Sequence, residues 1–283
     1  HLGLGSGDLD WNKPISHTPN DIGCDYSYIF PATNDRVPCV YVKNRLVENL
    51  DENDPIEVSY NAKCPFEGIA TSERNPELLR MRHSNGHNNS IINGVGRIGY
   101  MRGGQKAVWR DEDLAEQFLS EAEKFIKEDP EKPFFLYYAL HQPHVPRVPN
   151  PKFAGKSGLG PRGDVIMEMD HCVGKLTAFL EKEGLLDNTI LLFTSDNGPV
   201  LDDGYMDDAE RFNAMAQHRP AGPLRGGKYS KFEGGARIPL IVSWKSHIRP
   251  AVSHALVSQV DFAASFASML GVDLGDWTPD SQD

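Results

Sequence analysis

At 283 residues the chain has room for one large domain or two small ones, and for a substantial buried core. With 39% hydrophobic residues and no apolar run long enough to cross a membrane, its composition is that of an ordinary globular protein. A formal net charge of -11 argues against nucleic-acid binding through bulk electrostatics, but leaves room for an anionic substrate held by a few placed cations.

The chain opens on His1-Leu2-Gly3 and ends on Ser281-Gln282-Asp283, with neither an initiator Met nor a leader, and is expected to be a piece of a longer protein. Residues 1 to 35 are rich in Gly, Asp, Asn and Pro and are predicted to be loop. A strand is predicted over Val37 to Val42, with Pro38 at its edge or start. Residues 48–104 show no sustained period and are predicted to be an irregular excursion lining a cleft. Regular structure is expected over 111–271. Asp111 is a candidate N-cap for a helix with Leu114, Phe118, Ala122 and Phe125 on one face, stopped by Asp129-Pro130. Phe134 to Leu140 is an unbroken apolar run, the pattern of a strand covered on both faces. A second helix is predicted from Asp164, with Val165, Met169, Cys172, Leu176 and Leu180 inward and Gly184 as its stop. Strands follow at Ile190 to Thr194 and Leu240 to Val242, and a helix over 253–270 ends at Gly271. This order implies an α/β layered domain with a mostly parallel sheet flanked by helices.

Cys24, Cys39, Cys64 and Cys172 show no C-x-x-C spacing, so a zinc or redox site is not indicated. Buried free thiols are expected, with room for one disulfide in an exported protein.

Polar groups cluster where the apolar runs end. Ile190 to Thr194 delivers Ser195-Asp196-Asn197-Gly198, and in parallel sheets ligands gather at such carboxyl ends. Asp196 and Asn197 offer only oxygen donors, which suit a hard cation; the same residues also suit a plain turn. Phe134 to Leu140 delivers His141-Gln142-Pro143-His144-Val145-Pro146. There His144 can hydrogen-bond an anionic oxygen or protonate a leaving group, or merely bond a loop carbonyl. Lys228 follows Gly226-Gly227, where backbone can approach a ligand closely while the ammonium supplies a point charge. Arg237 reads as a structural ion pair. Together these groups suggest hydrolysis of an ester bearing a tetrahedral anion.

The combination of Ser195-Asp196-Asn197-Gly198, Pro143-His144-Val145-Pro146 and Leu224-Arg225-Gly226-Gly227-Lys228 through Glu233-Gly234-Gly235-Ala236-Arg237-Ile238-Pro239 resembles the type I sulfatases of the alkaline phosphatase superfamily. The opening His1-Leu2-Gly3 resembles the tail of that family's G-K-x-H-L-G motif. The resemblance extends over essentially the whole chain, 1–283, as a partial catalytic domain, and implies an alkaline phosphatase-like fold that cleaves sulfate esters, small or polysaccharide. It implies one calcium ion held in part by Asp196 and Asn197, with Lys228 binding the sulfate. His144 would act on the leaving oxygen, His141 would line the substrate site less firmly, and His1 would assist the nucleophile. That nucleophile is a formylglycine made from the Cys or Ser of a C-x-P-S-R or S-x-P-S-R motif. None of the four cysteines stands in C-x-P-S-R, so the nucleophile and the paired aspartates of the family's first strand are expected upstream, and the 283 residues alone are expected to be inactive. The resemblance also implies a periplasmic or secreted protein. It implies no nucleic-acid partner and leaves the oligomeric state open. Two other functions fit these residues: phosphodiester or phosphonate monoester hydrolysis within the same superfamily, and non-catalytic binding of anionic glycans.

Overall fold

The helix expected from Asp111 forms in two steps, a 3-10 turn over Asp111–Asp113 and then α1, Leu114–Glu128. The structure, a computed structural model, describes residues 8–275. Leu119 and Ile126 of α1 meet Leu176, Phe179 and Leu180 of α2, Gly160–Lys182, in a buried cluster. Each such side chain contributes about 1.5–3 kcal/mol on full burial, which fixes the two helices as one layer. A short helix, α3, Ala209–Met215, lies against α2 as well. Phe134, Leu136, Tyr138 and Leu191 lean on the α1–α2 layer from the other side.

Leu191 belongs to β8, Ile190–Thr194, which pairs antiparallel with β9, Leu240–Trp244, in a register running from Ile190 opposite Trp244 to Thr194 opposite Leu240. The α/β class therefore holds, but every ladder between the described strands is antiparallel, where a mostly parallel sheet was expected. Phe134 to Leu140 is extended without joining a ladder. Its side chains alternate, with Phe134, Leu136, Tyr138 and Leu140 half-buried while Phe135 and Tyr137 are 75% and 73% exposed. β9 is likewise exposed along most of its length, not buried as expected. An apolar run states which residues can be covered, not what covers them.

The segment before α1 is better ordered than its composition suggested. β1 (Tyr28–Ile29), β2 (Val42–Lys43) and β3 (Leu46–Val47) form a three-stranded meander, while β4 (Glu57–Ser59) pairs with β7 (Tyr100–Arg102) and β5 (Ile91–Ile92) with β6 (Val95–Gly96). The strand expected over Val37 to Val42 is thus cut to its last residue plus Lys43, with an isolated bridge from Val40 to Val108. A second core lies here, built from Val37, Cys39, Val40, Val42, Ile56, Met101, Trp109 and Leu114.

Two capping expectations fail for one reason, a competing partner for the carboxylate. Asp111 makes no side-chain cap; it lies 2.6 Å from Nη2 of the fully buried Arg97 and accepts from Asn93 at 3.0 Å. Helix α2 begins at Gly160, ahead of Asp164, whose carboxylate instead accepts from the Gly155 and Ser157 amides at 2.8 and 2.9 Å. The last helix, α5, is Phe262–Leu270 rather than 253–270, because Ser258 and Asp261 form a capping box just before it. Gly271 ends it at φ 67°, the left-handed cap that favours glycine. All four cysteines are free thiols; Cys39 and Cys172 are buried, Cys64 is half-buried, and Cys24 is exposed against expectation.

Candidate functional site

The apolar β8 ends at Thr194 and releases the chain into Ser195-Asp196-Asn197-Gly198. The backbone approach that follows is close. The Gly198 amide donates to Gly235 O at 2.9 Å, and a side chain at Gly198 would collide with Gly234 O. The Lys228 amide donates to Pro199 O at 3.0 Å, and Gly227 faces the same carbonyl. Glycines at 198 and 227 let these two loops lie against each other, and Gly234 lets its own turn close on Arg225 O and Gly226 O, so the Asp-Asn pair and Lys228 share one rim. Glu233–Ala236 makes a single helical turn, α4, within this frame. Arg237 pairs with Glu233 at 3.4 Å on the surface, as expected.

The histidine loop joins the rim through Arg147, a residue that no local motif marks. Arg147 is buried and donates to Pro143 O at 3.1 Å, to Val200 O at 3.1 Å and to Leu201 O at 3.0 Å, and pairs with Asp207 at 2.8 Å. One guanidinium thus fastens the His144 loop to the stretch that follows Asn197. Its fork of donors suits three carbonyls and a carboxylate where an ammonium would not. Gln259 completes the rim, donating to Ser195 O at 2.7 Å.

His144 is half-buried, and its Nδ1 lies 2.7 Å from Val145 O. A carbonyl only accepts, so Nδ1 carries the hydrogen and Nε2 is the end left for chemistry. Behind the loop, Asp35 lies 2.9 Å from His87 Nε2 and also accepts from Thr33. Burial disfavours the Asp35 charge, but the bonds from His87 and Thr33, with charge at His144 adding, hold its carboxyl below the usual range. His141 is half-buried as well, and desolvation pushes its imidazole down to about 4, with Asp111 opposing and His144 reinforcing the shift. It is neutral at pH 7 and packs edge-on to Phe30, with ring centroids 6.4 Å apart. His1 lies outside the described residues.

Asn197 donates its amide nitrogen to Gly198 O at 2.9 Å, which leaves its side-chain oxygen uncommitted by that bond. Asp196 and Asn197 therefore fit a hard cation in donor type, but calcium takes about six to eight oxygens. No three His, Cys, Asp or Glu side chains among the described residues converge as a metal group.

Lys228 itself is partnered. Its Nζ lies 3.2 Å from Asp203 Oδ2, and the Tyr229 hydroxyl donates to Asp203 Oδ1 at 2.9 Å. Burial lowers the ammonium's affinity for its proton, yet Asp203 outweighs it and the Lys228 pKa is raised. Neither Asp203 nor Arg147 carries a sequence signal, since each is defined by partners far along the chain.

Glu168 of α2, 5% exposed, stands behind the same loop near Gln142. Burial raises its carboxyl to about 7, with Gln142 and the Asn150 backbone pulling the other way. The folded protein keeps a proton that the unfolded chain releases near 4.5, so stability falls as pH rises from about 4.5 to about 7 and is flat in this respect above. The gap between about 4.5 and about 7 corresponds to about 3 kcal/mol. Glu168→Gln is expected to gain that amount over the wild type in urea unfolding at pH 8 and nothing at pH 4.5; equal gains at both would show that the proton is not the cause.

Residues 49–272 match the sulfatase family model. An N-acetylgalactosamine-6-O-sulfatase of Bacteroides thetaiotaomicron is 52% identical over 285 residues, covering 100% of this chain and 55% of that protein. Human arylsulfatase A is 39% identical across 54% of this chain and 28% of its own length. A solved structure described under the metabolism of multiple glycosaminoglycans by Bacteroides thetaiotaomicron superposes with a TM-score of 0.95 at 51% identity, covering 100% of this chain and 58% of that one. The chain spans little more than half of these bacterial relatives. No helix among the described residues is long and apolar enough to cross a membrane.

Proposed function

This chain belongs to the sulfatase family, and from that premise we propose that it forms part of a hydrolase of sulfate esters, with 6-O-sulfated N-acetylgalactosamine units of glycans as the substrate. The observation that carries this is the rim itself. Glycine contacts and the Arg147 clamp hold against one another the three segments that carry Asp196-Asn197, Lys228 and His144. The choice of sugar rests on the bacterial relative, which is similar over the whole chain.

In this reading Lys228 binds a sulfuryl oxygen as a point charge. His144, with Nδ1 held by Val145 O, presents a protonated Nε2 to the bridging oxygen and hands it the proton as the sugar alcohol leaves. His141, kept neutral by burial, packs against Phe30. Asp196 and Asn197 would supply oxygens to a calcium ion, whose charge polarises the sulfuryl group when bound. The attacking group would be a formylglycine hydrate, which lies outside the described residues. The same reading places the protein in the periplasm or outside the cell, by family resemblance.

The test is a graft. The 283 residues replace the matching stretch of the Bacteroides thetaiotaomicron sulfatase, and release of sulfate from N-acetylgalactosamine-6-sulfate is measured. Turnover well above an unprocessed control is expected. A folded, calcium-loaded graft without turnover would reject the proposal.

A further inference from the structure

Asp203 is not accounted for by sulfate hydrolysis. A carboxylate beside the lysine that must bind an anion opposes that binding, yet both of its oxygens are engaged there, by Lys228 at 3.2 Å and by the Tyr229 hydroxyl at 2.9 Å. Tyr229 takes φ 71°, a backbone conformation that a tyrosine adopts at a cost, and its ring lies 5.2 Å from the Lys228 ammonium. The lysine, tyrosine and aspartate form a closed set.

The loop holding Asp203 is stitched down on both sides. Arg147 grips Val200 O and Leu201 O at its start and Asp207 at its end. Between them, the Ser84 amide donates to Gly204 O at 2.9 Å and the Met206 amide to Arg82 O at 2.8 Å. Ser84 Oγ donates to Asp202 at 2.6 Å, and the buried Tyr205 hydroxyl to Gly96 O at 2.6 Å. These contacts fix the backbone that carries Asp203, and its carboxylate stands beside Lys228. Any anion at Lys228 therefore shares the ammonium with a fixed negative charge.

That condition separates two ester classes of nearly equal shape. A sulfate monoester carries a single negative charge throughout the working pH range, whereas a phosphate monoester carries close to two above a pKa of about 6. We propose that Asp203 is a specificity residue: its carboxylate orients Lys228 for a singly charged sulfate ester and rejects the doubly charged phosphate ester of the same alcohol. The proposal rests on Lys228 being the anion-binding lysine. One additional charge repelled across about 6 Å at an effective dielectric near 20 corresponds to about a hundredfold in affinity, which salt and solvent reduce to about tenfold.

The experiment is calorimetric titration at pH 8, with phenyl sulfate and with phenyl phosphate, of the graft described above with its nucleophile left unprocessed, so that neither ester turns over. The chains compared are the wild type, Asp203→Asn, Asp203→Ser and Lys228→Ala. The wild type is expected to favour phenyl sulfate. Asn keeps an oxygen for Tyr229 without the charge, and should shift the ratio of affinities toward phenyl phosphate by about tenfold; Ser, which also lacks the charge, should shift it the same way. An unchanged ratio in a folded Asp203 variant overturns the proposal. If Lys228→Ala abolishes binding while the ratio stays unchanged, only the role of Asp203 fails. If Lys228→Ala leaves phenyl sulfate binding intact, or the wild type binds neither ester, the anion reading of Lys228 fails and Asp203 falls with it.

Discussion

Alanine at Arg97 is expected to lower the unfolding free energy by about 3–5 kcal/mol, well above the loss typical of a single substitution. Arg97 is wholly buried, 2.6 Å from Asp111, and also donates to Ile92 O at 3.1 Å and to Asn34 O. Three stretches of chain therefore converge on one guanidinium: the turn at Asn34, the β5–β6 hairpin and the start of α1. Truncation leaves Asp111 charged, buried and served only by Asn93. Removing one member of a buried pair costs far more than removing both, because the surviving charge has no compensation. The double variant Arg97→Met with Asp111→Leu should accordingly recover much of the loss. Urea unfolding followed by the fluorescence of the buried Trp109 measures both. A loss under about 1 kcal/mol for the single variant would show that the excursion is held some other way.

The largest effects on turnover are expected in the graft, from Lys228→Ala and His144→Ala. Loss of a positioned charge on the transferring group should lower turnover by about 10²–10³, whatever the leaving group. Loss of the proton donor should lower it by about 10²–10⁴ on a sugar sulfate, whose alcohol leaves poorly without a proton. With 4-nitrophenyl sulfate, which expels a stable phenolate, the His144→Ala deficit should shrink while the Lys228→Ala deficit stays. If both variants lose the same factor on both substrates, His144 is not the proton donor.

The parts legible in sequence were those written within one segment. The amphipathic face of α1, the apolar run of β8, its delivery of Asp196-Asn197, and the glycine stop of α5 each follow from neighbours a few residues apart. Carboxylates were misassigned where the competing partner lay far away. Asp111 has the composition of a cap, but Arg97 claims it across the core. Asp164 likewise closes the turn ahead of its helix. Gly226-Gly227 suggested close approach, but the contacts of Gly227 with Pro199 O and of Gly198 with Gly234 O are visible only in three dimensions. Asp203 was hidden among turn-forming residues, and nothing local marks it as the partner of a lysine 25 residues on. The pairing direction of β8 was misjudged because composition reports coverage and not neighbours.

The extended stretch Phe134 to Leu140 has a consequence for the life of the chain in a cell. Its outward Phe135 and Tyr137 stand on backbone that joins no ladder, close in kind to the bare β9 face with Ile241 59% exposed. Bare apolar backbone of this sort is what holdase chaperones grip and what promotes clumping with sister chains. An added strand or an apolar partner laid along Phe135, Tyr137 and Ile241 would remove that hazard.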